Sequence, residues 1–311
     1  MMEFRHEALL YSNQAEFLGG AVPFIRDGIA AGEAILVVES RERIDMLRGA
    51  LGDDAAQVMF ADMSAVGSNP ARIIPAWREF VEVHGASGKG LRGIGEPIWK
   101  ERSADELVEC QRHESLLNVA FADGRPWHLL CPYDTTRLDD AVIAEARRSH
   151  RYVTEAGVSA ASAEFRGLDA CGSPFAAPLD EPRRGVVRST TFDREGLLEL
   201  RRWVTRFATS VGLPKSRATA VVTAVNELAT NTVLHGGGKG TLRMWKADAA
   251  LVCEVRDAGV YGLPLADRER PGPGAADPRG LWVANQLCDL VQIRTFTDGT
   301  VVRLHSRLDT N

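Results

Sequence analysis

Residues 167–182, GLDACGSPFAAPLDEP, divide this chain. Three prolines (Pro174, Pro178, Pro182) and two glycines (Gly167, Gly172) interrupt helix and strand periodicity alike, which predicts a linker. At 311 residues the chain is too long for one ordinary core. The seam therefore predicts two domains, residues 1–166 and 186–311, joined by a linker over 167–185.

The patterns on the two sides differ. Before the seam, short apolar runs at 8–11, 34–38, 57–61, 91–95 and 128–131 read as strands. They alternate with helical patterns at 14–30, 41–51, 70–84 and 104–122, and long helices are expected over about 139–165. Such alternation predicts an α/β domain, a parallel-rich sheet covered by helices. After the seam, a strand at 186–192 precedes helices at 194–210 and 215–235. Strands at 240–246 and 251–256, a Gly/Pro-rich loop at 258–279, a short helix at 280–288 and a closing hairpin around Asp298-Gly299 follow. Helices on one face of an antiparallel-rich sheet make an α+β sandwich.

Bulk properties exclude several classes. Hydrophobic residues are 45% and charged residues 25%, as in soluble globular proteins. No apolar run is long enough to span a bilayer, and the charged start Glu3-Phe4-Arg5-His6-Glu7 does not read as a secretory signal. The five cysteines are scattered, and no pair has metal-ligand spacing, so the expected setting is a reducing cytoplasm. Residues 186–311 carry net +4 against −9 for residues 1–185. That excess suits an anion or an acidic partner and is too small to argue for direct nucleic-acid binding.

The chemistry concentrates in the C-terminal half. In Asn226-Glu227-Leu228-Ala229-Thr230-Asn231, Glu227 and Asn231 stand four apart and leave a helix on one face. Val221, Val225, Leu228 and Val233 form the expected apolar stripe behind them. A carboxylate beside an amide oxygen suits a divalent metal carrying phosphate, although a solvated polar face has the same composition. Asp257-Ala258-Gly259 closes a strand and places a carboxylate where it can accept from an exocyclic amine; the same pattern also makes a common turn. Arg279-Gly280-Leu281 opens a helix, where a glycine lets phosphate approach bare N–H groups. Thr300 on the last hairpin offers a hydroxyl near the same edge.

In this order, the four pieces resemble the GHKL (Bergerat) ATPase fold, closest to its anti-sigma-factor serine/threonine kinase branch, over about residues 186–311. The resemblance implies ATP and Mg²⁺ as cofactors. It implies Glu227 as general base, Asn231 as Mg²⁺ ligand, and Asp257 as the adenine-recognising Asp with Gly259 beside it. It places Arg279, Gly280 and Leu281 at the phosphates and Thr300 on the adenine side. Residues 260–276 would form the nucleotide lid, carrying Arg268 and Arg270. The glycine boxes are thinner than usual, with Asp277-Pro278 directly before Arg279-Gly280. No helical hairpin with a phospho-accepting His is evident, and His150 is expected on a helix surface.

In the N-terminal half, Gly85-Ala86-Ser87-Gly88-Lys89-Gly90 looks like a phosphate loop but follows a helix and precedes a strand, the reverse of what a Walker motif requires. The run from Phe4-Arg5-His6-Glu7 to Cys131-Pro132-Tyr133-Asp134 resembles the MEDS sensory domain, a RecA-like fold without a working phosphate loop. That resemblance implies a small organic ligand. The candidate pocket residues are His6, Glu96, Trp99 and Glu114.

The combined reading is a signalling regulator in which a sensory domain controls an ATP-binding kinase module acting on Ser or Thr of a STAS-type anti-sigma antagonist. The alternatives are a non-catalytic module binding ATP or a sigma factor, and an atypical histidine kinase. No membrane partner is expected, and a homodimer is left open.

Overall fold

The computed structural model describes residues 4–123, 126–167, 175–182, 185–247, 249–260, 265–271 and 279–308. The chain divides into two compact units, Met1–Phe175 and Ala176–Asn311.

The N-terminal unit opens with β1 (Arg5–Tyr11), α1 (Gln14–Ala31), β2 (Ala34–Glu39), α2 (Arg41–Leu51), β3 (Met59–Asp62) and the short α3 (Met63–Val66). It continues with α4 (Ile73–His84), β4 (Leu91–Gly95), α5 (Ala104–Ala120), β5 (Trp127–Asp134), α6 (Asp140–Ser149), β6 (Tyr152–Glu155) and β7 (Val158–Ala161). The sheet order is β3-β2-β4-β5-β1-β6-β7. Every pairing is parallel except the β6–β7 hairpin. Strands buried on both faces have to be nearly all apolar. Ile35, Val37 and Val38 of β2 and Leu9 and Leu10 of β1 meet that demand. Helix starts follow local chemistry: Asn13 and Ser40 accept from Glu16 N and Arg43 N, and Ser103 and Glu106 form a capping box at α5.

The expectation of long helices over 139–165 is corrected. α6 stops at Ser149, and residues 152–161 form a hairpin instead. Ala156 and Gly157 both have positive φ (49° and 77°), as a tight two-residue hairpin turn demands. Tyr152-Val153-Thr154 supplies β-formers that extend the sheet from β1.

The C-terminal unit contains β8 (Arg188–Asp193), α7 (Leu197–Ser210), α8 (Lys215–His235), β9 (Lys239–Ala247), β10 (Ala250–Asp257), α9 (Arg279–Leu287), β11 (Leu290–Phe296) and β12 (Gly299–Arg307). Its sheet, ordered β11-β12-β10-β9-β8, is antiparallel throughout. Strand alternation sends Leu251, Cys253 and Val255 of β10 into a core shared with Val204, Val221, Val225, Leu228, Leu281 and Ala284. Residue Glu254 points to the other face. There Arg303 contacts it at 2.6 Å, Arg256 at 2.8 Å and Arg243 at 3.1 Å, so its buried charge is compensated. The two-layer sandwich puts one face of α8 beside the ends of β10 and α9, and that juncture carries the candidate chemistry.

Candidate functional site

On α8 the apolar stripe ends differently from the expected pattern. Val233 is only partly buried, and the buried position is Thr232, 0% exposed. Its hydroxyl donates to Asp257 Oδ2 at 2.6 Å. Asp257 Oδ1 accepts from Gly259 N at 2.9 Å. The carboxylate is packed so tightly that a Cβ on Gly236 would lie 2.5 Å from Asp257 Cγ. A Cβ on Gly259 would lie 3.0 Å from Gly236 Cα. Glycines at 236 and 259 thus let the segment after α8 and the turn after β10 touch, with Asp257 between them. Thr232 was not assigned a role from sequence; a lone hydroxyl inside an apolar stripe was the available signal.

Asn231, the preceding residue, is brought against α9. A Cβ on Gly280 would lie 2.6 Å from Asn231 Nδ2 and 3.2 Å from Glu227 Cβ. The absence of a side chain at 280 therefore lets the start of α9 sit on the Glu227/Asn231 face. Asn231 Nδ2 is buried without a hydrogen-bond partner. Turning this amide to present its oxygen to a cation breaks no protein hydrogen bond. Arg279 is exposed at the helix start, while Leu281 is 1% exposed and belongs to the core, so only its backbone can face a ligand. Thr300 is buried and donates to Gly259 O at 2.7 Å; its proton secures the turn beside Asp257, leaving the oxygen as acceptor only. The structure therefore brings Glu227, Asn231 and Gly280 together at one edge, and Asp257, Gly259 and Thr300 at the adjoining one.

Of the expected lid, residues 261–264 and 272–278 lie outside the described residues, Asp277 and Pro278 among them. Arg268 is wholly buried, with Nε 3.2 Å from Asp267 Oδ2. Asn285 of α9 donates to Asp267 O at 2.8 Å, which anchors this part of the segment. Arg270 is exposed.

In the N-terminal unit the four candidate pocket residues separate into two groups. Glu96 and Trp99 line a cavity of about 680 Å³ together with Tyr11, Glu39, Arg43, Asp62 and Asp134. Tyr11, Glu39, Asp62 and Asp134 end parallel strands, and Glu96 follows β4, so the cavity lies at the strands' C-terminal ends, where open α/β sheets hold ligands. Tyr11 donates to Glu96 Oε1 at 2.7 Å, and Arg43 Nε lies 2.9 Å from Glu96 Oε2. Burial raises the Glu39 and Glu96 carboxyls; the charge of Glu96 adds to the effect on Glu39, and Arg43 opposes both.

His6 and Glu114 lie elsewhere, in a fully buried cluster with Cys131 and His150. His6 Nε2 is 3.1 Å from Glu114 Oε2, and His150 Nε2 is 3.3 Å from the same oxygen. Cys131 Sγ is 3.4 Å from His6 Nε2. Burial and the neighbouring His150 push His6 down to about 4. For Glu114, burial acts upward but is outweighed by the His150 and His6 rings beside it, which hold it well below the usual carboxylate range. The expectation of His150 on a helix surface is corrected: it is 0% exposed and immediately follows α6.

A parallel α/β unit with a strand-end cavity is followed in the chain by an antiparallel sandwich of the GHKL type. Residues 5–151 match the family model of the MEthanogen/methylotroph, DcmR Sensory domain (MEDS), and residues 191–306 that of the histidine kinase-like ATPase domain. The chain is thus a MEDS domain joined to a histidine kinase-like ATPase domain. No curated protein matches it. Among solved structures, the RsbU and RsbW domains of Rv1364c from Mycobacterium tuberculosis align at 22% identity with a TM-score of 0.32, covering 40% of this chain and 33% of that one. Among the described residues no helix is long and apolar enough to cross a membrane.

Proposed function

We propose that the C-terminal unit binds ATP with Mg²⁺ and transfers phosphate to a Ser or Thr of a STAS-type anti-sigma antagonist, under control of the N-terminal unit. The observation that carries this reading is the junction just described: the Asp257 carboxylate held by Thr232 and Gly259, one residue along α8 from an unsatisfied Asn231 amide facing Gly280. Asp257 would accept from the adenine amine, with Gly259 and Thr300 fixing the turn beside it. Asn231 would hold the metal, and the backbone at Arg279-Gly280-Leu281 would face phosphate. Bound ATP would supply the γ-phosphoryl group, and Mg²⁺ would neutralise its growing charge. Glu227 would take the proton from the acceptor hydroxyl as that oxygen attacks.

The cavity at Glu96 and Trp99 is the proposed seat of a small organic ligand. Its carboxylates and Arg43 favour a polar molecule that can exchange hydrogen bonds with them. An atypical histidine kinase fits less well, since His150 is buried and already engaged. The thin glycine boxes favour a second reading, in which nucleotide merely shapes a sigma-factor-binding surface. Incubating the full chain with labelled ATP, Mg²⁺ and a candidate antagonist separates the two. Acid-stable label on the antagonist supports the kinase, and bound nucleotide without transfer supports the binding module.

A further inference from the structure

The buried cluster His6, Glu114, Cys131 and His150 joins four parts of the N-terminal unit: β1, α5, β5 and the residue that follows α6. Their candidate donor atoms all lie within 4.8 Å of one another. The closest separations, 3.1, 3.3 and 3.4 Å, approach the edges of about 3.3–3.7 Å that a zinc tetrahedron of nitrogen, oxygen and sulfur ligands has.

The outer hydrogen bonds show which imidazole nitrogens are left for a metal. His6 Nδ1 lies 3.2 Å from Asn118 Oδ1. The orientation of that amide is set because its Nδ2 donates to Ser149 O at 2.8 Å. His150 Nδ1 lies 2.8 Å from Ala146 O, which only accepts. Ser149 Oγ, also near at 3.1 Å, has Glu145 O as its own acceptor at 3.0 Å. Both Nδ1 atoms therefore carry hydrogen, and in a neutral ring Nε2 is then a bare lone pair. Both lone pairs point at Glu114 Oε2, itself an acceptor. The Cys131 S–H, 3.4 Å away, can donate to His6 Nε2, whereas His150 Nε2 has no hydrogen-bond partner and faces the Glu114 carboxylate, acceptor against acceptor. Protonating His150 alone would pair it with Glu114, and protonating both rings would place two imidazolium ions 3.9 Å apart, centroid to centroid, in a fully buried site with one carboxylate. A metal at the centre resolves the conflict. It uses both Nε2 lone pairs, and the Nδ1–H groups donate outward, as is usual for metal-bound histidines.

We propose that these four side chains bind a zinc ion. The ligand set of two imidazoles, one thiolate and one carboxylate suits zinc above magnesium or calcium. Binding converts the Cys131 thiol to thiolate and releases its proton to solvent, after which the ion's two positive charges balance Cys131 and Glu114. Four protein ligands close the coordination sphere, so the ion ties β1, β5, α5 and the end of α6 together and takes no substrate. This site is independent of the nucleotide reading.

The test is metal analysis of the full chain purified without chelators, paired with cobalt substitution after chelator treatment. The expected results are stoichiometric zinc, intense visible bands of tetrahedral cobalt and a thiolate-to-cobalt charge-transfer band in the near ultraviolet. Cys131→Ser loses the charge-transfer band, whereas Cys110→Ser, a buried thiol outside the cluster, keeps it. Asn118→Ala, which leaves all four ligands in place, weakens zinc binding about 10- to 100-fold. If Cys131→Ser does not fold, the wild-type cobalt spectrum and Asn118→Ala still decide. Wild-type protein with neither zinc nor cobalt bands overturns the proposal, as does a charge-transfer band that survives in folded Cys131→Ser.

Discussion

Thr232 Oγ1 lies 2.6 Å from Asp257 Oδ2, joining α8 to the end of β10 across the C-terminal core. One hydrogen bond thereby sets the distance between the face that presents Glu227 and Asn231 and the proposed floor of a purine site. Thr232→Val keeps the shape and removes the hydroxyl, leaving a carboxylate oxygen without its donor. Nucleotide affinity is expected to fall by up to about 10- to 150-fold, for the loss of a hydrogen bond to a charged group. Calorimetry with ATP and Mg²⁺ measures it; unchanged affinity would show that Asp257 is positioned by other contacts.

Glu227→Ala separates chemistry from binding. If Glu227 is the base, phosphoryl transfer to the antagonist falls about 10²- to 10⁴-fold while nucleotide affinity changes little. Single-turnover transfer with labelled ATP reads the first, and calorimetry the second. Transfer at the wild-type rate would remove Glu227 from the chemistry.

Two glycines predict different failures. A Cβ at Gly280 meets the end of the Asn231 side chain, which can swing away, and Glu227 Cβ at 3.2 Å, which needs only a small shift between α8 and α9. Gly280→Ala should therefore fold normally yet weaken Mg²⁺-dependent nucleotide binding about tenfold, roughly 1.4 kcal/mol. A Cβ at Gly299 meets Asp257 O at 2.0 Å, at a φ of 145°. Since backbone must move there, Gly299→Ala is expected to destabilise the C-terminal unit by about 2–5 kcal/mol. Thermal denaturation of both variants distinguishes the two cases.

Glu39 gives a pH prediction. An unfolded glutamate titrates near 4.5, and in the folded protein burial and the charge of Glu96 raise Glu39 well above that. The native state therefore binds more protons than the unfolded one between those two values, and stability falls as pH rises through that window. Glu39→Gln removes the charge and should raise Tm at neutral pH, with about 2–4 °C for each kcal/mol gained. The difference should vanish below pH 4.5. A variant less stable at neutral pH would mean that the Glu39 charge is compensated in the cavity.

The grouping of the C-terminal candidate residues was largely legible because its parts are local. Glu227 and Asn231 share one helix, Asp257 and Gly259 one strand end, and each carries its own periodicity or turn chemistry. The N-terminal clusters were not legible in the same way. His6, Glu114, Cys131 and His150 come from four separate elements with no short spacing, and only the parallel order of β5, β1 and β6 collects them. The same order moves His6 and Glu114 away from the cavity that holds Glu96 and Trp99. The pattern over 139–165 reads as helical throughout, which sets His150 on a helix, whereas α6 ends at Ser149. The Ala156-Gly157 turn, with both φ values positive, lacks the usual Asn-Gly or Asp-Gly signature.

Titration calorimetry of the full chain with ATP, in the presence and absence of Mg²⁺, tests the central claim most directly, with Asp257→Asn alongside. The prediction is saturable binding strengthened by Mg²⁺ and weakened at least about tenfold in folded Asp257→Asn, roughly 1.4 kcal/mol for the lost charge-assisted contact. Heat-silent titrations confirmed by equilibrium dialysis, or equal affinity in wild type and Asp257→Asn, would contradict it.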